Sequence, residues 1–179
     1  NQNVCIRDDA YKYILRGGHI MINEKDKYYL NRCVQLAEIA LAKGDAPFGS
    51  VLVSQEGEIL FEDHNKIASG DNTRHPEFEI AKWAANNLNE AERKNAVVYT
   101  SGEHCSMCAS AHGLVGLGRI VYASSTEQLK QWNEEMGIDK GRLKGLSIPE
   151  VINDTEVDGP DETLAEKVRD LQFSYHNKK

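Results

Sequence analysis

The sequence predicts an α/β fold in which helices cover both faces of a mixed β-sheet. One observation is a pair of short apolar segments on either side of residues 55–58, which is typical of a β-hairpin. Another is the later alternation of β-branched segments with amphipathic ones, which indicates strands connected through helices. A hairpin pairs its strands antiparallel and helical connections pair them parallel, so the sheet should contain both arrangements.

The first half of the chain contributes a helix and the hairpin. Apolar side chains recur every three or four positions from residue 26 to residue 43, and Gly44 then ends this amphipathic helix. Residues 50–54 and 59–61 form the two hairpin strands. A polar loop follows over residues 64–74.

The second half alternates helices and strands. Pro76 suits the first position of a helix, because its missing N–H is not needed there, and this helix runs toward Leu88. The elements that follow are a strand at 96–100, a loop at 101–104, a helix at 105–115, a strand at 119–123, a helix at 126–136, a final strand at 146–152 and a helix at 161–175.

The bulk properties are those of an ordinary globular protein and disfavour a nucleic-acid substrate. A length of 179 residues allows one domain, which we expect over residues 25–179 after an extension over residues 1–24. Apolar runs are too short to span a membrane, and the start lacks the features of a signal peptide. Cys5 and Cys33 stand apart from the other cysteines, so we expect no disulfide framework, Cys33 in a helix core, and a cytoplasmic location. The net charge of −7 disfavours nucleic acid, because binding a phosphate backbone needs a basic surface.

Two short motifs predict a zinc site: His75-Pro76-Glu77, and Cys105 with Cys108 some thirty residues later. Cysteines three residues apart in the first turn of a helix point to the same side, and the helix N-terminus favours their thiolates. With His75 they give three ligands, which leaves the fourth position of one zinc ion per chain for water. Glu77 would then move protons as a general acid and base. The alternative is a structural zinc closed by His64, His104 or His112, which leaves Glu77 unexplained.

These motifs resemble the cytidine deaminase-like superfamily, whose members hydrolyse the exocyclic amine of a nucleobase or nucleoside. The resemblance covers about half of the chain and includes residues 47–51 and Asn65. These residues are similar to those of guanine deaminases and tRNA adenosine deaminases. It implies a five-stranded mixed sheet between two helical layers, and a homodimer. His104 departs from the pattern, because it stands where the family has proline, and it is a candidate fourth zinc ligand.

The resemblance also implies residues that contact the substrate. Asn65 would contact the base or ribose, with a turn residue as the alternative. Phe48 would stack on the ring, with a core residue as the alternative. Glu103 and His104 precede the first cysteine and complete the set of substrate-binding candidates. Three carboxylates are further candidates for hydrogen bonds to the edge of a purine, with plain solvent exposure as the alternative: Glu134, Glu135 and Asp139. Tyr175 near the C-terminus would cover the substrate pocket, with packing of the last helix as the alternative.

Three functions remain open from the sequence. The favoured one is deamination of a small heterocycle, with a guanine-type purine preferred. The second is deamination of adenosine in tRNA, which would need a basic surface built from Arg7, Lys12, Arg16, Lys25 and Lys27. The third is a zinc-stabilised binding protein without turnover.

Overall fold

The structure is a computed structural model that describes residues 15–16, 19–20 and 22–177, the first four through their backbone alone. Leu15–Arg16 (β1) and His19–Ile20 (β2) pair antiparallel. Most of the expected extension over residues 1–24 lies outside the described residues, as do Cys5, Arg7 and Lys12.

The rest of the described chain alternates strands with helices, as predicted. In chain order the elements are α1 (Glu24–Ala42), β3 (Gly49–Val53), β4 (Ile59–His64), α2 (Pro76–Asn87), α3 (Glu90–Asn95), β5 (Val97–Gly102), α4 (Ser106–Val115), β6 (Ile120–Ser124), α5 (Thr126–Glu135), α6 (Ile148–Val151), β7 (Val157–Asp158) and α7 (Glu162–Asn177). A turn of 3-10 helix, Ile67–Ser69, lies between β4 and α2. No helix of the described chain is long and apolar enough to cross a membrane.

Five strands form one mixed sheet in the order β4-β3-β5-β6-β7. Strand β3 pairs antiparallel with both β4 and β5, whereas β5 with β6 and β6 with β7 are parallel. The register places Ser50 on β3 opposite Thr100 on β5. The prediction of a mixed five-stranded sheet is confirmed.

Alternating side chains of the central strands divide the core between the two faces of the sheet. On one face Val51, Tyr99 and Val121 pack against helices α1, α5 and α7. On the other face Leu52 and Val98 pack against α2 and α4. Full burial of a large aliphatic side chain contributes roughly 1.5–3 kcal/mol, so both faces stabilise the sheet. The molecule therefore has three layers, with the sheet in the middle.

Helix α1 lies close against the start of β3 because residue 49 is glycine. A Cβ atom at Gly49 would come within 2.4 Å of the Cys33 carbonyl oxygen and 2.5 Å of Leu36 Cβ. A larger residue would push α1 away from the sheet. Cys33 is fully buried in the core beside this contact, as predicted.

The predicted strand over residues 146–152 is wrong, because this segment contains the short helix α6. Ser147 caps the helix: its N–H and its hydroxyl both donate to the Glu150 carboxylate, at 3.0 and 2.8 Å. Pro149 occupies the first turn, where proline is tolerated. The apolar residues that indicated a strand instead lie on one side of a helical turn, with Ile148 fully buried.

Two other short elements gave no signal in the sequence. The fifth strand, β7, has only two residues, with Val157 beside Ile120 of β6. Helix α3 has no buried residue, so it shows no apolar periodicity. It forms through a capping box in which Asn89 accepts from the N–H of Glu92 and Glu92 accepts from that of Asn89.

A buried ion network ties the start of α1 to the middle and far strands of the sheet. Arg119, just before β6, donates to both carboxylate oxygens of Asp26 at 2.9 and 3.0 Å. Its Nε donates to Asp158 of β7 at 2.8 Å. The Tyr99 hydroxyl of β5 donates to Asp26 at 2.8 Å. One guanidinium and two carboxylates, together with the Tyr99 hydroxyl, thus hold α1, β5 and β7 together.

Candidate active site

The three predicted metal ligands lie together beyond the C-terminal end of β5. Cys105 Sγ lies 3.6 Å from His75 Nδ1 and 3.6 Å from Cys108 Sγ, and the third side of the triangle, Cys108 Sγ to His75 Nδ1, is also 3.6 Å. A tetrahedral zinc ion, at about 2.3 Å from sulfur and 2.0–2.1 Å from nitrogen, has ligand–ligand edges of about 3.5–3.8 Å. The triangle therefore fits one zinc ion.

Two helix starts bring these ligands together. Cys105 is the N-cap residue of α4 and Cys108 lies in its first turn, so both sulfurs point to the same side. His75 is the N-cap residue of α2, with extended backbone angles of φ −91° and ψ 138°. Both helix starts direct the positive ends of their dipoles toward the site, which favours thiolate over thiol.

The two thiols differ in acidity. Hydrogen bonds from the Cys108 thiol and from His75 lower the pKa of Cys105 to about 4. The bond that Cys108 donates to Cys105, together with burial, raises the pKa of Cys108. The site thus already favours a thiolate, which is the form of cysteine that binds zinc.

Among the described residues, no fourth His, Cys, Asp or Glu joins the group of ligand atoms that lie within 4.8 Å of one another. His64 Nδ1 instead lies 2.8 Å from the Asn65 carbonyl oxygen. His112 Nε2 lies 2.7 Å from the Gly118 carbonyl oxygen, and the His104 ring packs edge-on against that of His112, with centroids 5.5 Å apart. A site with three protein ligands is the arrangement of catalytic rather than structural zinc.

Glu77 is buried beside this group, in the first turn of α2. The Ser50 hydroxyl donates to its Oε1 at 3.0 Å, and the Thr100 hydroxyl lies 3.4 Å from the same oxygen. Burial raises the pKa of Glu77, while the charge of His75 opposes that shift. Because His75 precedes the helix in extended backbone, its offset of two residues from Glu77 still allows both side chains to reach one site.

Comparison with known families identifies the chain. Residues 23–124, more than half of it, match the family model of the cytidine and deoxycytidylate deaminase zinc-binding region. The chain belongs to this deaminase family. It is therefore a zinc-dependent hydrolytic deaminase that acts on C–N bonds, which decides against a zinc protein without turnover.

The names of the deaminase's relatives give different substrates. A probable cytosine deaminase of Schizosaccharomyces pombe is 28% identical over 116 residues, which cover 65% of this chain and 70% of the relative. A tRNA-specific adenosine deaminase of Haemophilus influenzae is 32% identical over 104 residues, which cover 58% of this chain and 60% of the relative. Sequence similarity thus establishes the reaction type without fixing the substrate.

Solved structures show the same fold over most of the deaminase. The structure of a guanine deaminase from Nitrosomonas europaea aligns with a TM-score of 0.64 and 16% identity, covering 88% of this chain and 87% of that one. A guanine deaminase from Bacillus subtilis aligns with a TM-score of 0.52 and 30% identity, covering 66% of this chain and 72% of that one. The three-layer architecture is therefore that of this deaminase fold.

Asn65 directly follows β4 in the deaminase and is buried. Its Oδ1 accepts from the N–H of Ile67 at 3.0 Å, which is the local turn bond expected of asparagine. Its N–H donates to the Phe48 carbonyl oxygen at 3.0 Å, which joins the two ends of the hairpin. The hydrogen bonds of the Asn65 side chain to the described residues are made through Oδ1 and not through the amide nitrogen.

Phe48 and Glu103 both have structural contacts. The Phe48 ring lies against Gly102, where an added Cβ would be 3.1 Å away, and lines a cavity of only about 10 Å³. The Glu103 carboxylate accepts from the N–H of Thr126 at 2.9 Å and from that of Ile148 at 2.8 Å. Glu103 therefore holds the starts of α5 and α6, and this placement favours a supporting role for both residues over direct substrate contact.

His104 is 1% exposed, and both of its ring nitrogens lack a hydrogen-bond partner among the described residues. Burial, reinforced by the nearby His112, lowers the pKa of His104 well below its ordinary value. The His104 ring is therefore neutral and packs against His112 of α4 as a core residue. The structure does not bring it into the group of zinc ligands.

The three candidate carboxylates and the C-terminal aromatic are not part of the group of metal-ligand atoms. Glu135 forms an ion pair with Arg169 of α7 at 2.7 Å. Glu134 and Asp139 are exposed and line a separate cavity beside α5. Tyr175 is half-buried near the end of α7, with its ring 5.0 Å from that of His176.

Sequence reasoning missed the residues that hold Glu77. Ser50 and Thr100 are fifty positions apart and meet only because β3 pairs with β5. Their hydroxyl oxygens lie 2.8 Å apart, and both residues are fully buried. The available signal was a pair of polar residues within otherwise apolar strands, which is uncommon unless the residues are hydrogen-bonded.

Proposed function

We propose that the protein hydrolyses the exocyclic amine of a free nucleobase or nucleoside, with a guanine-type purine as the favoured substrate. The observation that carries this proposal is the buried Glu77 carboxylate beside a triangle of His75, Cys105 and Cys108. In the reaction, water and the C–NH₂ group become a carbonyl group and ammonia.

The side chains divide this reaction between them. His75, Cys105 and Cys108 would hold zinc, which when bound would lower the pKa of water from about 16 to near 7 and so supply the nucleophile at neutral pH. Glu77 would take one proton from the attacking water and pass it to the ring nitrogen, and would then take the second proton from the hydroxyl group of the adduct and give it to the departing amine. Because Ser50 and Thr100 both contact Oε1, Oε2 is the oxygen left to transfer the proton. The raised pKa of Glu77 suits a group that must both accept and donate.

Asn65 is the strongest candidate for substrate contact. Its Oδ1 bond to Ile67 fixes the side chain, and its amide nitrogen is left as a hydrogen-bond donor. A donor of this kind suits a carbonyl oxygen, a ring nitrogen or a ribose hydroxyl. We assign Phe48, Glu103 and His104 a supporting role around the site rather than direct contact with the substrate.

Similarity and charge both support a small purine substrate. The Bacillus subtilis structure that is 30% identical is named a guanine deaminase. The chain carries 28 acidic and 21 basic residues, which disfavours a polyanion. The second candidate is adenosine in tRNA, because several relatives with 24–32% identity are named tRNA-specific adenosine deaminases.

We further propose that residues 25–179 act as one deaminase domain, that the protein forms a homodimer and that it works in the cytoplasm. Size-exclusion chromatography with light scattering tests the dimer. A mass near the 20.0 kDa of one chain would contradict it.

A screen of ammonia release tests the proposed substrate. Guanine, adenine, cytosine and their nucleosides are compared with inosine formation in a tRNA anticodon stem-loop. We expect release from guanine or a related purine and no inosine in the stem-loop. Deamination of the stem-loop with every small molecule left intact would overturn the proposal.

A further inference from the structure

A second cavity lies between α5 and the loop that follows it. Its volume is about 470 Å³, and its lining runs from Thr126 to Gly145. None of the three metal ligands lines it, nor does Glu77 or Asn65. The cavity is therefore separate from the site of the proposed reaction.

Four cations surround this cavity: Lys130 on α5, and Lys140, Arg142 and Lys144 on the loop. All four are exposed. None of them forms an ion pair within the part of the chain that the structure describes, whereas Arg32, Arg119 and Arg169 elsewhere do. These four cations outnumber the two carboxylates of the same lining, Glu134 and Asp139, so the concave surface carries a net positive charge that attracts an anion.

The loop backbone is shaped to close over Lys130. Gly145 has a positive φ of 63°, which an L-residue with a side chain rarely adopts. A Cβ atom at Gly145 would lie 3.0 Å from Lys130 Cε. The glycine thus lets the loop fold back onto the lysine stem, so that Lys130 and the loop cations line the same space.

The cavity is also lined by apolar side chains and by a residue with a buried hydrogen-bond acceptor. Leu129, Ile138 and Leu143 contribute apolar surface. Asn133 also lines the cavity, and its Oδ1 is buried without a hydrogen-bond partner among the described residues. A buried unsatisfied oxygen is costly, and a ligand that donates a hydrogen bond would relieve it. The fitting ligand combines a negative group, an apolar part and a hydrogen-bond donor.

We propose that this cavity binds a phosphorylated small molecule of the nucleoside monophosphate class. The phosphate would face the cations, and the base would lie against the apolar wall. A volume of about 470 Å³ lies within the range of roughly 300–1,000 Å³ usual for small-molecule sites. An extended RNA fits less well, because Glu127 and Glu150 line the neighbouring cavity and would repel further phosphates.

The proposal goes beyond deamination and is tested by binding alone. Uridine and inosine monophosphates serve as probes, because neither carries an exocyclic amine and so neither can be a substrate. Isothermal titration calorimetry compares each probe with its nucleoside, which lacks the phosphate. We expect the monophosphate to bind at least ten-fold more tightly than the nucleoside.

Two triple variants locate the binding. The first carries Lys140→Gln, Arg142→Gln and Lys144→Gln. The second removes the same amount of charge from three exposed lysines on helices that do not line the cavity, by Lys25→Gln, Lys94→Gln and Lys167→Gln. Thermal unfolding checks that both variants fold. We expect the first to lose at least ten-fold in monophosphate affinity and the second to change less than two-fold.

Three results would overturn the proposal. One is that neither monophosphate binds at millimolar concentration. Another is that both triple variants lose affinity equally, which would reflect net charge rather than this cavity. The third is that an RNA stem-loop binds through the loop cations whereas the monophosphates do not, which would make the loop an RNA contact.

Discussion

The carboxylate of Glu77 combines burial with a fixed orientation. The Ser50 hydroxyl holds one carboxylate oxygen at 3.0 Å, and His75 and Cys105 are close enough to influence its ionisation. The carboxylate is not among the grouped ligand atoms, so its chemical role is separable from metal binding. This separation makes a single substitution informative.

Glu77→Gln should keep the fold and the zinc while losing turnover. The amide has nearly the same shape as the carboxylate but cannot accept the proton. Loss of general acid–base catalysis costs about a hundred- to ten-thousand-fold, and because Glu77 serves twice we expect the upper end of that range. Steady-state ammonia release and metal analysis on the same preparation measure both properties.

Glu79→Gln is the matched control for this substitution. Glu79 lies two residues further along α2, where it contacts Arg74 and Lys82 at the surface instead of the metal group. The Glu79→Gln variant should keep a turnover close to that of the unmodified protein. A Glu77→Gln variant as active as this control would show that Glu77 does not move the proton.

At the scale of the elements, the start of α1 depends on the bond between Asp26 and Arg119. The Asp26 side chain is 3% exposed and that of Arg119 is 15% exposed. Asp26→Asn would leave the guanidinium buried with only Asp158 as a charged partner. Removing one partner of a buried ion pair costs about 3–5 kcal/mol, and we expect a fall in the free energy of unfolding of that size.

Urea denaturation measures this effect, with Glu24→Gln as the control. Glu24 lies on the same helix and pairs with Lys27, but its side chain is 81% exposed. Exposed pairs contribute little to stability, so the control should unfold at nearly the same urea concentration as the unmodified protein. Equal behaviour of the two variants would mean that the network does not hold α1.

Helix α4 carries a pH-sensitive residue in its buried face. Burial lowers the pKa of His112 from its ordinary value of 6.5 to about 4. The unfolded chain therefore binds a proton between these values and the folded chain does not. The free energy of unfolding should fall as the pH decreases from 6.5 toward 4.

His112→Gln should make this fall less steep, because glutamine does not titrate but its amide can still donate to the Gly118 carbonyl oxygen. Unfolding curves at pH 7, 6 and 5 measure the slope for both proteins. Acid release of zinc affects both alike, so the difference between slopes reports His112. Identical slopes would contradict its assignment as a buried neutral group.

Elements with a strong local signal could be predicted from the sequence. Helix α1 shows apolar periodicity, and Pro76 and Cys105 stand at or just before the starts of α2 and α4. The sequence predicts a strand where helix α6 forms, because four residues are too few for periodicity to distinguish the two states. The capping box at Ser147 favours the helix.

At the scale of the whole molecule, long-range contacts escaped prediction. The metal group could be found because each motif is short and chemically distinctive. Asp26 and Arg119 are 93 positions apart, and no local pattern links them. The loop cations alternate with other residues, so a search for consecutive basic residues does not find them.

Charge distribution also predicts how activity depends on salt. An enzyme that makes six to ten phosphate contacts loses about 10³–10⁵ in affinity between roughly 50 and 200 mM salt. A small neutral base makes no such contacts, so kcat/KM should change less than about two-fold over the same range. Added tRNA should not inhibit. Strong inhibition by tRNA, or a steep loss of activity with salt, would favour the RNA substrate.

The central claim is that one zinc ion is held by His75, Cys105 and Cys108, and zinc content tests it most directly. Metal analysis should give about one zinc per chain in the unmodified protein. It should give nearly the same in Cys33→Ala, because Cys33 is a core residue that is not among the grouped ligand atoms. Cys108→Ala should lose most of its zinc. Full zinc content in Cys108→Ala would contradict the ligand set.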